Sequence, residues 1–331
     1  MYSWGDDTST WKKPGSYNYG SAKAPYLDDL KKEAADKGPR TYVGTKKPNL
    51  DLVNPKGKKL YSESENPIIL AVDGTGSMQS WPGEIFDRLP LFYQTLSKYK
   101  PEIELSFSVI GDAISDDWPL QISAFGKGVE LDDYLKALHP EGRGGPGIRE
   151  SYELFSYFIH EHCKTPNAVS PFLFIMGDEK FYKNVDPSQV EQLIGDKLQG
   201  PLDSAKTIQE LTQRYDVYLL RKSYSHGLDK EIEGQWKEVL GAQKVIPIYD
   251  PERVVDVAMG LVAKKWGYFG DFENNLGARQ DSVGKESVMM SLKAAPGVDF
   301  DNLESTMVGS SIVGDAPSMK SKNLASMVSK P

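Results

Sequence analysis

The sequence predicts an α/β fold of three layers: a mostly parallel central sheet, helices on both faces, and one antiparallel edge strand. Three observations predict it. Short continuous apolar runs end at or just before a carboxylate, as in Pro67-Ile-Ile-Leu-Ala-Val-Asp73 and in Phe172-Leu-Phe-Ile-Met176 ahead of Asp178. Strands buried on both faces read this way. Such runs alternate with segments whose apolar residues recur at helical spacing, which implies crossover connections and parallel pairing. Segments 103–109 and 119–125 are strand-like and separated by a short loop without a helix, so the second is expected as an antiparallel neighbour.

The elements follow in order. Residues 1–65 are rich in Gly, Tyr, Lys, Pro and Ser, with one helical patch at 26–36 carried by Tyr26, Leu27, Leu30 and Ala34. Little apolar surface is available there to offset ordering entropy, so a mostly irregular N-terminal extension is expected. Residues 66–266 are expected to form the folded domain. After the first strand, Ile85, Leu89, Phe92, Leu96 and Tyr99 mark a helix. Residues 103–109 alternate apolar and polar with period two, and 119–125 is their expected partner. A short helix follows at 131–138. Ile148, Tyr152, Phe155, Ile159 and Cys163 mark a longer helix, and 172–176 is a second buried strand. Residues 190–194 and 205–215 read as helical, 216–220 as strand, 228–240 as helix and 245–249 as strand. A last helix, 251–265, carries Val254, Val255, Ala258, Leu261 and Val262 on one side. From residue 267 to 331 small and polar residues dominate, and a flexible tail is expected. The plain reading is a disordered terminus; the alternative is a partner-binding peptide, for which Met289, Met290, Leu292, Met307 and Val308 would be the apolar anchors.

Composition narrows the function. The chain has 331 residues, 39 Lys+Arg and 47 Asp+Glu, for a net charge of −8. Residues 1–66 carry net +3, 67–266 net −9 and 267–331 net −2, so the predicted domain owns the negative charge. An acidic domain is a poor match to nucleic acid, which needs clustered Lys/Arg. No run approaches the roughly 18 apolar residues of a membrane span. The start, Met1-Tyr-Ser-Trp, lacks a basic segment followed by an apolar one, so no secretory signal is expected. The single cysteine, Cys163, excludes an internal disulfide and a cysteine-rich zinc module, and a reducing cytoplasmic location is expected.

The candidate chemistry lies at the carboxyl ends of the strands, where open α/β sheets bind ligands. Asp73-Gly-Thr75-Gly-Ser77-Met directly follows the first buried strand and offers three hard oxygen donors. Gly142-Arg-Gly-Gly-Pro146-Gly147 precedes the helix of Ile148, and Gly177-Asp178-Glu179 follows the second buried strand. Hard oxygen ligands from adjacent strand ends suit Mg²⁺ or Mn²⁺.

These residues resemble the von Willebrand factor A family, a Rossmann-like fold whose metal-ion-dependent adhesion site begins Asp-x-Ser/Thr-x-Ser. Asp73, Thr75 and Ser77 match that element, and Asp178 stands where the family places a later aspartate. The order of elements agrees over 66–266. The stretch Arg149-Glu150-Ser151-Tyr152-Glu153 is similar to intracellular bacterial and phage-associated branches, as is Gly111-Asp112-Ala113. The second metal loop departs from the pattern: Pro146 stands where the family has Thr, Asp or Asn, and proline offers no ligand. The resemblance implies a weakly held Mg²⁺ or Mn²⁺ on Asp73, Thr75, Ser77 and Asp178, with an open position for a partner protein's carboxylate. Glu150, expected in a helix, would substitute only through water. The resemblance further implies a non-enzymatic interaction module, with an AAA-type ATPase or an assembly subunit as partner. A degenerate site in which Asp73 only caps its turn is the alternative.

Other candidates have plainer readings. Trp81, beside the expected site, is either a partner-contacting residue or a packed aromatic; Glu150 and Glu179 join it as partner-binding candidates. His160, His162 and Cys163 sit close in sequence, but residues two apart on a helix point to different sides. Lys56, Lys58 and Lys59 read as a solvated turn. No hydrolase elbow or dinucleotide fingerprint is present. A haloacid-dehalogenase-type phosphohydrolase shares an Asp after the first strand, but its second Asp falls on Thr75 here. A structural subunit of a filament, shell or phage-like assembly, with the termini as arms, is the remaining alternative.

Overall fold

The computed structural model describes residues 47–128, 130–144, 147–225, 227–293 and 295. The six apolar runs pair into one sheet: β1 (Asn66–Asp73), β2 (Ile103–Ile110), β3 (Leu120–Ile122), β4 (Phe172–Gly177), β5 (Asp216–Lys222) and β6 (Val245–Ile248). Their order is β6-β5-β4-β1-β2-β3. All pairs are parallel except β2 with β3, whose register is Ile110↔Leu120. This is the expected α/β sheet with an antiparallel edge. β1 and β4 are buried along their whole length, as continuous apolar runs require.

Side-chain alternation divides the core into two layers. Ile69, Ala71, Leu173, Ile175, Val217 and Leu219 face one side, against helices that include α3 (Tyr152–His162), α5 (Ser204–Leu211) and α6 (Asp229–Leu240). The alternate residues face α1 (Trp81–Tyr99) and α7 (Val254–Lys265), where Phe92 meets Phe174 edge-on and Trp266 meets Phe172. Two shorter helices, α2 (Glu130–Ala137) and α4 (Pro187–Leu193), complete the crossovers.

The expected boundaries need two corrections. Residues 269–293, read from composition as part of a flexible tail, form α8 (Phe269–Arg279) and α9 (Ser282–Lys293), both packed on α7. The cause lies in α7, where all ten residues from Val254 to Ala263 are buried. A helix apolar all round needs cover on its outer side, and Phe269, Phe272, Leu276, Val288 and Leu292 supply it. Gly260 lets them approach: a Cβ there would meet Leu292 Cδ1 at 2.7 Å and the Phe272 ring at 3.0 Å.

Part of the N-terminal extension is also ordered onto the sheet. Leu60–Tyr61 pairs with Cys163–Lys164. Lys58, expected in a solvated turn, donates to the carbonyls of Leu52 at 2.5 Å and Ile122 at 2.6 Å, and so pins this segment to the β3 edge. Partial burial pulls its ammonium pKa down to about 8. The helical patch at 26–36 and the anchors Met307 and Val308 lie outside the described residues. No helix among the described residues is long and apolar enough to cross a membrane.

Candidate functional site

β1 and β4 are adjacent and parallel, with Val72 opposite Met176, so the loops that follow them leave the sheet side by side. This is a point where strand order reverses, and a crevice opens there in such sheets. Asp73 ends β1 without solvent-exposed surface. Its Oδ1 accepts from the Thr75 amide at 2.9 Å and the Thr75 hydroxyl at 2.5 Å, an Asx-type turn that folds the loop back. Residues Gly76–Met78 then form a turn of 3₁₀ helix. Thr75 Oγ1 lies 3.2 Å from Ser77 Oγ, which donates to Asp178 Oδ1 at 2.9 Å. Asp73, Thr75, Ser77 and Asp178 are thus joined in one hydrogen-bonded chain across the two strand ends.

The residues around this chain fix it. Tyr152, the first residue of α3, donates its hydroxyl to Asp73 Oδ2. Gly177, the last residue of β4, leaves room for that hydroxyl; a Cβ there would collide with it. Gly177→Ala is therefore expected to displace Tyr152 from Asp73 and cost about 1–3 kcal/mol, as overpacking does. Chemical denaturation of the two proteins checks this. The loop of Gly142 to Gly144 crosses above, its Gly142 amide donating to the Gly74 carbonyl at 2.9 Å and its Arg143 carbonyl accepting from Gly76. Gly145 and Pro146 lie outside the described residues, and with them the departure expected in this loop.

Glu150 is not in a helix. Arg149–Glu150 is a two-residue strand paired with Lys180–Phe181, and α3 begins only at Tyr152. That pairing turns Glu150 inward: it is 1% exposed, and its Oε2 has no hydrogen-bond partner among the described residues. Glu179 is 5% exposed with Oε2 likewise unpartnered. Trp81 is packed rather than displayed. It opens α1, buried, with the Lys222 ammonium 6.0 Å from its ring centroid.

Four buried carboxyl groups are crowded together here, and their charged forms repel one another. Burial, then the charge of Asp178, pushes the Asp73 pKa up to about 7 against the hydrogen bonds from Thr75 and Tyr152. Burial, then Asp73, pushes Glu179 up to about 8. Burial, then Asp73 and Glu179, pushes Glu150 up to about 11. Strongly raised pKa values clustered at the ends of adjacent strands make this a candidate functional site.

Sequence reasoning missed Lys222, the last residue of β5. Its ammonium donates to the Ser77 carbonyl and to Asp178 Oδ2, each at 2.8 Å. Its place at the carboxyl end of the strand beside β4 was the available signal. Tyr152 was read as a core residue of its helix and as part of the stretch 149–153, not as a partner of Asp73. A second acidic pair also went unread as a feature of this end of the sheet: Asp112 accepts from the Tyr182 hydroxyl at 3.0 Å, and Glu153 from the Tyr182 amide at 3.1 Å. His160, His162 and Cys163 diverge, as helix geometry predicts. His160 faces Glu161 and Glu210, His162 faces Asp196 at 2.6 Å, and Cys163 faces the Tyr215 hydroxyl.

The donor set suits a hard cation in a particular way. Among the described residues no three His, Cys, Asp or Glu side chains converge as a metal centre by themselves. The Thr75 and Ser77 hydroxyls and coordinated water would therefore complete any ligand shell, the arrangement Mg²⁺ favours because it dehydrates reluctantly. Glu150 and Glu179 beside it each keep an unpartnered oxygen and hold their protons near neutral pH, so there they add acceptors rather than charge.

No protein-family model matches the chain, and no curated protein sequence does. Among solved structures it is similar to the pilus adhesin SpaC from Lactobacillus rhamnosus GG in its open conformation, at 13% identity and TM-score 0.42, over 66% of this chain and 31% of that one. A second form of the same adhesin aligns at 14% identity and TM-score 0.42, over 64% and 32%. Proximal thread matrix protein 1 from the mussel byssus aligns at 9% identity and TM-score 0.41, over 64% and 49%. The chain thus spans 31–49% of the length of these structures.

Proposed function

We propose that the chain is a non-enzymatic interaction module of the von Willebrand factor A type, binding a partner protein through a divalent cation held by Asp73, Thr75, Ser77 and Asp178. The observation that carries this reading is the hydrogen-bonded chain of those four side chains across the carboxyl ends of β1 and β4. A sheet with one antiparallel edge strand accords with it.

The residues divide the work. Asp73, locked by Thr75 and Tyr152, orients the turn and supplies charge from below. The Thr75 and Ser77 hydroxyls are the neutral donors. A cation held by few carboxylates keeps net positive charge, so it supplies a strong bond to an incoming Asp or Glu of the partner. The phosphohydrolase alternative is less well supported. Both oxygens of Asp73 already accept hydrogen bonds and the residue has no exposed surface, a poor state for a nucleophile. The assembly-subunit alternative rests on terminal arms, of which 47–65 and 269–293 are packed on the folded domain, while 1–46, 294 and 296–331 lie outside the described residues.

Calorimetric titration with Mg²⁺ and Mn²⁺ tests the reading. Saturable heat is expected for the natural chain and none for Asp73→Ala. Indistinguishable traces from the two proteins sink it. In a native lysate, partner capture is expected in Mg²⁺ and is expected to vanish with chelator or with Asp73→Ala.

A further inference from the structure

Lys222 sits inside the acidic cluster that the preceding reading assigns to a divalent cation. β5 pairs with β4 so that Arg221 lies opposite Gly177, which sets Lys222 beside Asp178. Strand alternation sends the two basic residues apart: Arg221 turns to Asp229 and Glu233, whereas Lys222 turns to Ser77 and Asp178. The Lys222 side chain is 16% exposed and Asp178 has none of its side chain exposed, so the ion pair is held away from bulk screening. Among the described residues no other Lys, Arg or His forms an ion pair with Asp73, Glu150, Asp178 or Glu179.

We propose that Lys222 is a built-in counter-cation that competes with the divalent ion for Asp178 and so sets how weakly that ion is held. The inference rests on the cation-binding reading above. Asp178 Oδ1 is taken by the Ser77 hydroxyl and Oδ2 by the ammonium, so each oxygen already has one partner when no divalent ion is bound. An incoming dication therefore meets a resident positive charge on one of its own anchoring carboxylates. Like charges a few ångströms apart in a partly desolvated site repel by amounts worth one or more factors of ten in affinity. The ion must then either displace the ammonium or bind against it, and the ammonium is tethered where it rebinds Asp178 as soon as the ion leaves.

The experiment is calorimetry with Mg²⁺ and with Mn²⁺ on the full natural chain, Lys222→Met and Lys222→Arg, at one ionic strength. Methionine keeps an unbranched stem without the charge; arginine keeps the charge. Lys222→Met is expected to bind about ten- to a hundredfold more tightly than the natural chain, and Lys222→Arg about as the natural chain does. Thermal unfolding of the same proteins reports folding: Lys222→Met is expected to melt lower without cation, because Asp178 keeps Ser77 but loses its charged partner, and to gain more on adding Mg²⁺. If the natural chain binds and Lys222→Met binds no more tightly, the inference is overturned and the cation reading stands. If no protein binds, the cation reading itself fails and takes the inference with it. If only Lys222→Met binds, the lysine excludes the ion outright, which supports the inference and overturns the cation-bridged partner for the natural chain.

Discussion

Arg279→Ala is expected to lower the stability of the protein by roughly 3–5 kcal/mol, the cost of stranding one member of a buried ion pair. Arg279 in α8 reaches Asp256 in α7 at 2.7 Å, with side chains 2% and 4% exposed. The other Asp256 oxygen accepts from Gln280 at 2.8 Å. Removing the guanidinium leaves a carboxylate in an apolar interface with only a neutral donor beside it. The same interface contains the Tyr99–Tyr268 stack at 4.6 Å and the Tyr99 hydroxyl bond to Asp271 at 2.7 Å, so loosening α8 strips cover from α1 as well as α7. Urea unfolding of the purified chain measures the loss. Replacing both partners together, Arg279→Met with Asp256→Leu, is expected to recover most of it, because an apolar pair leaves no charge uncompensated. A loss below about 1 kcal/mol in Arg279→Ala would falsify the view that α8 and α9 belong to the folded domain, since a frayed tail does not feel its ion pairs.

The sheet was legible because its residues carry their information locally. The run from Pro67 to Asp73 needs no partner to be recognised as a doubly covered strand, and Asp73, Thr75 and Ser77 are within five positions of one another. What was not legible came from pairing. Glu150 looked helical because Ile148, Tyr152 and Phe155 share a helical period. The two-residue ladder with Lys180–Phe181 takes it out of the helix and turns it inward. Lys222 is one basic residue among many until β5 pairs with β4. The helices α8 and α9 were hidden by reading one face of α7. Val257, Met259 and Ala263 complete an apolar circumference that requires a second covering layer, a demand visible only when all sides of that helix are counted together.

Stability is expected to fall as pH rises from about 5 to about 8.5, and Glu153→Gln is expected to remove the share of that fall that belongs to Glu153. Glu153 lies in the first turn of α3 with no exposed surface; Oε2 accepts from the Tyr182 amide at 3.1 Å, and Oε1 has no partner among the described residues. Burial pushes its pKa up to about 8 from the ordinary 4.5, although amides of the helix start oppose the shift. A carboxyl group whose folded pKa is raised holds its proton in the native state while the unfolded chain has already released it. Below about 4.5 both states are protonated and the native state carries no penalty. Between 4.5 and 8 the native state retains a proton that the unfolded chain lacks, so unfolding releases protons and stability declines with pH. Above 8 the full cost of a buried anion is present, on the order of a few kcal/mol at 1.36 kcal/mol per unit. Glutamine keeps the acceptor for Tyr182 and deletes the charge, so it is expected to leave stability near pH 5 almost unchanged and to raise it near pH 8.5. Asp73 and Glu179 titrate in the same window and Glu150 holds its proton throughout it, and the share of all three is expected to remain in the variant without added cation. With Mg²⁺ present, their anionic forms gain a partner and the remaining slope is expected to flatten. Parallel slopes for the natural chain and Glu153→Gln, by urea unfolding at pH 5, 7 and 8.5, would show that Glu153 is ionised and solvated in the native state.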